Sequence, residues 1–272
     1  MTPALLYLFV FLAGASIGSF LNVCIARWPA ELSVVSPRSR CPKCERRIRW
    51  YENLPLVSWL ALGARCRGCS LPISPVYPLV ELCVALGWLV AVLVYGPSLT
   101  ALRVAVFGTL LFGIAVTDAK HYLIPDGFTV FGFFWVLVMA VVGHFVGETA
   151  PFAAPYDALV GACAGAGAIA IVGWLGEVAL KKEAMGFGDV TLMAVVGAAL
   201  GPGRSLLTIF VGAFLGAAGF LLVVYPIAWV RSRRRGTEFD PPLVPFGVFL
   251  APAALLTLLW GEQAIAWYRS QL

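Results

Sequence analysis

Long apolar stretches recur along the whole chain, and they limit what it can fold into more than any other feature. They cover residues 5–26, 76–95, 102–116, 128–146, 159–180, 190–200, 206–230 and 246–267. Most approach the roughly 20 residues that an α-helix needs to span a bilayer. Hydrophobic residues make up 61% of the chain and charged residues only 12%, which excludes an ordinary soluble protein. We therefore predict an all-α polytopic membrane protein with about eight transmembrane helices.

The 19 lysine and arginine residues indicate the orientation of these helices. With the amino terminus outside, only Arg103, Arg204 and Arg269 fall on the outer side, and all the others lie in cytoplasmic loops. Cytoplasmic loops carry such an excess of basic residues. The cluster at 231–235 stays inside only if the short stretch 190–200 also crosses. The net charge of +5 is thereby explained by the excess of basic residues in cytoplasmic loops. We therefore predict no nucleic-acid partner.

Only one loop is long enough to form a small domain. We divide the chain into a first transmembrane helix (1–26), a cytoplasmic loop (27–74) and a multi-helix membrane domain (75–272). The loop contains two Cys-x-x-Cys pairs, separated by 21 residues. This spacing is typical of zinc sites with four cysteine ligands, and metal binding would supply much of the folding energy of so short a loop. The predicted ligands of a structural Zn(II) are Cys41, Cys44, Cys66 and Cys69.

Two disulfides, or thiols without metal, are the alternative for this loop, although a reducing cytoplasm argues against disulfides. Cys24, Cys83 and Cys163 stand alone in apolar stretches, where cysteine behaves as a small hydrophobic residue. We assign no function to these three.

Two carboxylates near the membrane surface are the candidate catalytic groups, because acidic residues in spanning segments are rare and usually functional. Asp118 ends the third apolar helix, and Asp189 begins the sixth, within Gly186-Phe-Gly-Asp189. The predicted topology places both at the cytoplasmic ends of their helices. One carboxylate of such a pair acts as a base and the other as an acid, while Gly186 and Gly188 let a substrate backbone lie close to Asp189.

Each aspartate has a structural alternative. Either one could pair with a nearby lysine, at position 120, 181 or 182. Asp126 follows a proline and suits the N-cap of the next helix. Glu81, one turn into the second apolar helix, either bonds a neighbouring helix or tunes the site.

Taken together, these residues resemble the type IV prepilin peptidase family, a branch of the Gly-x-Gly-Asp membrane aspartyl proteases. The resemblance covers nearly the whole chain. Thr191 departs from it, since members often carry lysine there. The matching segments are residues 18–29, the four cysteines, 77–81, 123–126 after Asp118, 186–194 around Asp189, and 244–250.

The resemblance implies an endopeptidase of the bacterial inner membrane that cuts the basic leader of a prepilin or pseudopilin on the cytoplasmic side. It also implies methylation of the new amino terminus from S-adenosylmethionine. No residue reveals where this methyl donor binds, but its need for cytosolic access favours the loop at 27–74. Lower-ranked site residues are Glu81, Pro245, Phe246 and Gly247. The oligomeric state is not predicted.

Two other function classes compete with this interpretation. A proton-coupled transporter would carry its acidic residues near the bilayer centre and would have interrupted helices in two halves. A zinc-ribbon scaffold of a secretion system would need its aspartates only for structure. Loss of activity on substitution of Asp189 by asparagine distinguishes the enzyme from the scaffold.

Overall fold

The described part of the chain is mainly α-helical. The computed structural model describes residues 2–181, 185–235 and 244–271. Short 3-10 turns lie at Trp28–Ala30 and Trp50–Asn53, and a π-helical stretch at Phe220–Val224. Apart from two isolated β-bridges, the described residues contain no strand. The α-helices are α1 (Pro3–Arg27), α2 (Val57–Ala61), α3 (Val76–Tyr95), α4 (Leu99–His121), α5 (Asp126–Val146), α6 (Pro155–Leu180), α7 (Phe187–Leu200), α8 (Pro202–Gly219), α9 (Tyr225–Arg235) and α10 (Gly247–Arg269).

Seven helical segments of the described chain are long and apolar enough to cross a membrane. They are α1, α3, α4, α5, α6, the continuous segment of α8 and α9, and α10. Helix α7 is apolar but has only 14 residues. At 1.5 Å per residue it is about 21 Å long, against about 30 Å for the hydrocarbon core. The predicted all-helical membrane fold is confirmed, and α7 corresponds to the short stretch of the prediction.

Helix α7 is buried along most of its length, which explains how so short a helix is accommodated. Leu192, Met193 and Val196 are completely inaccessible to solvent. A Cβ atom on Gly161 of α6 would collide with the Gly197 carbonyl of α7. Glycines on both helices thus let the two backbones approach closely. Because protein surrounds α7, its length does not have to match the lipid.

The chain separates into two compact units, Met1–Gly113 and Ile114–Leu272. In the first unit α1 packs on α3, and a Cβ on Gly18 would lie 2.7 Å from the Glu81 Cα. In the second unit α10 packs on α8, where the hydroxyls of Thr208 and Thr257 are 2.6 Å apart. The domain boundaries predicted from the sequence, after residues 26 and 74, stay a prediction.

Candidate active site and metal centre

The four cysteines predicted as metal ligands form one cluster in the first unit. Their sulfur atoms all lie within 4.8 Å of one another. The Cys41 and Cys69 sulfurs are 3.6 Å apart, and those of Cys44 and Cys66 are 4.0 Å apart. A tetrahedral zinc ion with bonds of 2.3 Å would separate its sulfur ligands by about 3.8 Å, whereas a disulfide requires about 2.05 Å. The cluster therefore fits a metal ion, and all four cysteines are free thiols.

Each cysteine pair is held by an equivalent set of backbone hydrogen bonds. The N–H of Cys41 donates to the Arg46 carbonyl at 3.0 Å, and the N–H of Cys66 donates to the Leu71 carbonyl at 2.8 Å. Each knuckle is closed by an isolated β-bridge, from Arg40 to Arg47 and from Arg65 to Pro72. The two knuckles thus repeat one structure. In the sequence this repeat is visible only as two Arg-Cys-x-x-Cys motifs.

The first cysteine of each knuckle is biased toward the thiolate form that a metal requires, whereas burial and the neighbouring Cys41 thiol raise the pKa of Cys69 to about 11. The backbone N–H groups of Cys44 and Lys43 donate to the Cys41 sulfur and lower the pKa of this thiol to about 6. Those of Gly68 and Cys69 lower the pKa of Cys66 in the same way. A Cβ on Gly68 would lie 3.1 Å from the Arg46 side chain and 3.4 Å from the Cys44 sulfur. A side chain at position 68 would therefore crowd Arg46 and the Cys44 sulfur.

Glu81 lies in the first unit, on α3. Its side chain is buried, and its Oε2 accepts a hydrogen bond from the Leu56 N–H at 2.7 Å. Of the two roles considered from the sequence, bonding a neighbouring segment is therefore observed, although the segment is the cysteine loop and not another helix. Its role as a site-shaping residue stays a prediction.

Asp118 lies in the second unit, one turn before the end of α4, and not at its last residue as predicted. The residue is only 5% exposed. The backbone N–H groups of Gly247 and Val248 are directed at its carboxylate. Its Oδ2 is nevertheless buried and accepts no hydrogen bond from any described residue. Buried polar atoms are almost always paired, so this one requires an explanation.

Asp189 lies in the first turn of α7, at the third helical residue, as the sequence indicates. The N–H of Gly186, the N-cap residue, is directed at its carboxylate. A side chain at this position commonly returns to the N-cap in this way. The charge of Asp118 acts on Asp189, so the two predicted carboxylates occupy the same electrostatic environment.

Ile124 connects the segments around the two carboxylates. It is buried, and a Cβ on Gly188 would lie 2.9 Å from its Cβ. A Cβ on Gly247 would lie 3.0 Å from its Cδ1 and 2.8 Å from Asp118 Oδ2. Gly188 and Gly247 are thus required by close packing, and Gly188 faces Ile124. Gly186 is exposed beside Asp189. Ile124 lies in the segment 123–126 that resembles the family, but no role was predicted for it.

The remaining residues of the 244–250 segment begin α10. Phe246 is its N-cap, and the Phe246 carbonyl accepts the N–H groups of Phe249 and Leu250. Pro245 precedes it and is partly buried. Pro245 and Phe246 therefore lead into Gly247, whose N–H is directed at the Asp118 carboxylate.

Lysine does not partner the aspartates in the described part of the chain. Lys120 is exposed, and neither it nor Lys181 forms an ion pair with Asp118 or Asp189 there. Lys182 lies outside the described residues.

Asp126 is the first residue of α5 and not its N-cap, which is Pro125. Thr191 stands where members of the resembled family often carry lysine. Its hydroxyl donates a hydrogen bond to the Gly188 carbonyl at 3.0 Å.

Fold and site together define a multi-helix membrane protein that carries a pair of interacting carboxylates and a four-cysteine cluster suited to a metal ion. Two family descriptions match the chain. The Bacterial Peptidase A24 N-terminal domain matches residues 12–95, and the Type IV leader peptidase family matches residues 105–221. No solved structure matches.

Curated relatives extend this similarity over nearly the whole chain. The prepilin leader peptidase/N-methyltransferase of Aeromonas hydrophila is 35% identical over 290 residues, which cover 98% of this chain and 94% of the relative. The protein of the same name from Pseudomonas aeruginosa is 35% identical over 291 residues, with the same coverage. That of Myxococcus xanthus is 41% identical over 196 residues, 71% of this chain but only 55% of the relative. The chain belongs to the type IV leader peptidase family.

Proposed function

We propose that this chain is a membrane aspartyl endopeptidase that removes the leader from type IV prepilins or pseudopilins, with Asp118 and Asp189 as its catalytic pair. The observation that carries the catalytic assignment is the buried, unpartnered Oδ2 of Asp118 beside a second carboxylate. The names of the relatives support the substrate class. They also favour an enzyme over a transporter or a scaffold.

The carboxylate pair suits hydrolysis of a peptide bond. Two carboxylates in one poorly solvated site share a proton, because both cannot be ionised together. The ionised member takes a proton from water as the water oxygen attacks the scissile carbonyl carbon. The protonated member donates to the carbonyl oxygen, and a proton is later delivered to the leaving amine as the C–N bond breaks. The amides of Gly247 and Val248 hold Asp118 in place during these steps.

The protein is a multi-pass protein of the inner membrane. We infer that the amino terminus is outside and that the active site opens at the cytoplasmic face, because this topology puts nearly all basic residues inside. A basic leader then meets Asp118 and Asp189 while the apolar segment of the substrate remains in the bilayer.

The four-cysteine cluster is proposed to hold Zn(II). The separations of its sulfur atoms and the lowered pKa values of the Cys41 and Cys66 thiols support this metal. We also propose that the chain methylates the new amino terminus from S-adenosylmethionine. The lone pair of the neutral amine forms the new N–C bond as the C–S bond breaks, the electron pair stays on sulfur, and the amine proton passes to water.

Conservative substitutions test the catalytic pair. Asp118→Asn and Asp189→Asn are each expected to lower leader cleavage by at least ~100-fold, a common effect of removing a general acid or base. Mass spectrometry of a leader peptide incubated with purified protein measures this. Asp126→Asn, an exposed carboxylate at the start of α5, is the matched control and is expected to retain activity. Full activity of either variant would remove that residue from the mechanism.

A further inference from the structure

A cavity of about 440 Å³ lies within the first unit, between the cysteine knuckles and the helices α1 and α3. This volume is in the range of cofactor sites, roughly 300–1,000 Å³. Asn22 of α1 and Glu81 of α3 line one part, and Glu52, Trp59 and Arg67 of the cysteine loop line another. The carboxylate pair of the second unit does not take part in it.

Two buried side chains present unpaired acceptors to this cavity. Glu81 is 9% exposed, and its Oε2 is occupied by the Leu56 N–H, while Oε1 accepts nothing from the described residues. Asn22 is also 9% exposed, and its amide nitrogen donates to the Tyr77 carbonyl at 3.0 Å. The Asn22 side-chain oxygen has no donor within the described part. A ligand that brings a positive charge and N–H or O–H donors would satisfy both groups.

The other carboxylate of the cavity is already neutralised, which makes Glu81 distinctive. Glu52 accepts two hydrogen bonds from Arg46, at 2.7 and 3.0 Å, and a third from the Arg49 N–H at 3.1 Å. Arg67 approaches Glu52 only to 3.7 Å, and its side chain is 61% exposed. Glu81 is thus the carboxylate that can accept a cation, and Arg67 is a cation that can accept an anion.

The cavity also offers an apolar surface for a ring. Trp59 lines it, and the indole N–H is occupied by the Ile73 carbonyl at 3.1 Å. The indole N–H is therefore not available to a ligand, but a planar heterocycle can stack on the indole ring of Trp59. Leu54 and Leu71 line the cavity as well.

We propose that this cavity binds S-adenosylmethionine, with Glu81 facing its positively charged part and Trp59 contacting its adenine. The molecule carries a sulfonium and an ammonium group, donors on its ribose and adenine, and one carboxylate, and these match the groups that line the cavity. The inference rests on the methyl transfer in the proposed function. It gives Glu81 a ligand-binding role in addition to its contact with Leu56.

Equilibrium binding tests the assignment without any activity measurement. Isothermal titration of purified full-length protein with S-adenosylmethionine compares wild type, Glu81→Gln and the control Glu31→Gln. Glu31 lies on the same loop, is exposed and does not line the cavity. Glu81→Gln keeps an acceptor for the Leu56 N–H, so zinc content should remain normal, and affinity should fall about 10-fold or more. Glu31→Gln should bind as wild type does.

Unchanged affinity for S-adenosylmethionine in a zinc-loaded Glu81→Gln variant would overturn the assignment. It would also be overturned if Glu81→Gln bound S-adenosylmethionine normally but bound a cleaved pilin peptide more weakly than wild type. If the Glu81→Gln variant misfolds, photo-crosslinking of the wild-type protein with an azido derivative of S-adenosylmethionine tests the same assignment. Labelled peptides within 19–81 support the cavity, and labels confined to other parts of the chain contradict it. Methylation of a cleaved peptide, measured in parallel, shows whether the methyl-transfer activity itself stands when the cavity assignment fails.

Discussion

Gly247 shows how closely single atoms are fitted around the carboxylates. The glycine lies at the start of α10, where a Cβ would approach Asp118 Oδ2 to 2.8 Å and Ile124 Cδ1 to 3.0 Å. Atoms that close must move. Any side chain at this position would therefore displace either the proposed catalytic oxygen or the isoleucine that also packs against Gly188.

We expect Gly247→Ala to lower the cleavage rate by about 10-fold or more, because displacement of a reacting group by even 1 Å has large effects on rate. The measurement is the kcat for a leader peptide. Gly167→Ala is the matched control, since a Cβ there meets nothing within 4 Å and the residue belongs to the same unit. Wild-type kcat in Gly247→Ala would show that Asp118 tolerates the displacement or does not act in the reaction.

At the level of elements, the two cysteine knuckles form a small module whose stability we propose to depend on bound zinc. The loop at 28–75 has one α-helix of five residues, α2, and two short 3-10 turns. Glu52, with Arg46 and the Arg49 N–H, ties one of these turns to the first knuckle. So little regular structure gains much of its stability from bound metal.

Purified protein is expected to contain about one Zn per chain, as the four-thiolate rule requires. Replacing Cys41 and Cys44 together by serine should abolish this zinc, measured by elemental analysis. Cys83→Ser is the control, because Cys83 is a free and exposed thiol of α3 outside the cluster. Intact disulfides in freshly isolated protein, in place of metal, would contradict the zinc assignment.

The sequence predicts elements better than contacts between them. Apolar stretches identify the helices because a spanning helix must be long and apolar, and Cys-x-x-Cys pairs identify the cluster because metal geometry restricts spacing. Ile124 could not be identified in this way, since an isoleucine carries no chemical signal and its role depends on how α7 and α10 approach it. The partnering of Glu81 with Leu56 depends equally on tertiary structure.

On the scale of the whole molecule, the orientation of the chain depends on whether α7 crosses the membrane. Eight crossings leave both termini on the outer side, with the basic cluster at the end of α9 inside. Seven crossings would place the termini on opposite sides. Burial of α7 among protein atoms makes its short length compatible with crossing.

Epitope tags on the two termini test this orientation. Both tags should be accessible to antibody in intact spheroplasts, and a tag inserted after residue 235 should become accessible only after permeabilisation. A leader peptidase activity assay on each tagged protein confirms that the tags have not disturbed the fold. Protection of the carboxyl-terminal tag alone would show that α7 does not cross.

The two proposed activities use different groups, so they should be separable in one molecule. Cleavage is proposed to use the carboxylates of the second unit, whereas methyl transfer requires a site for its donor, which is proposed in the first unit. The Asp189→Asn variant is therefore expected to lose leader cleavage but to methylate a cleaved peptide at nearly the wild-type rate. Transfer of labelled methyl groups to the peptide measures this rate. Replacing Cys66 and Cys69 by serine should impair methylation at least as much as cleavage, because these thiolates hold the knuckle that lines the cavity. Loss of both activities in Asp189→Asn, tested on the cleaved peptide, would mean that the two sites overlap.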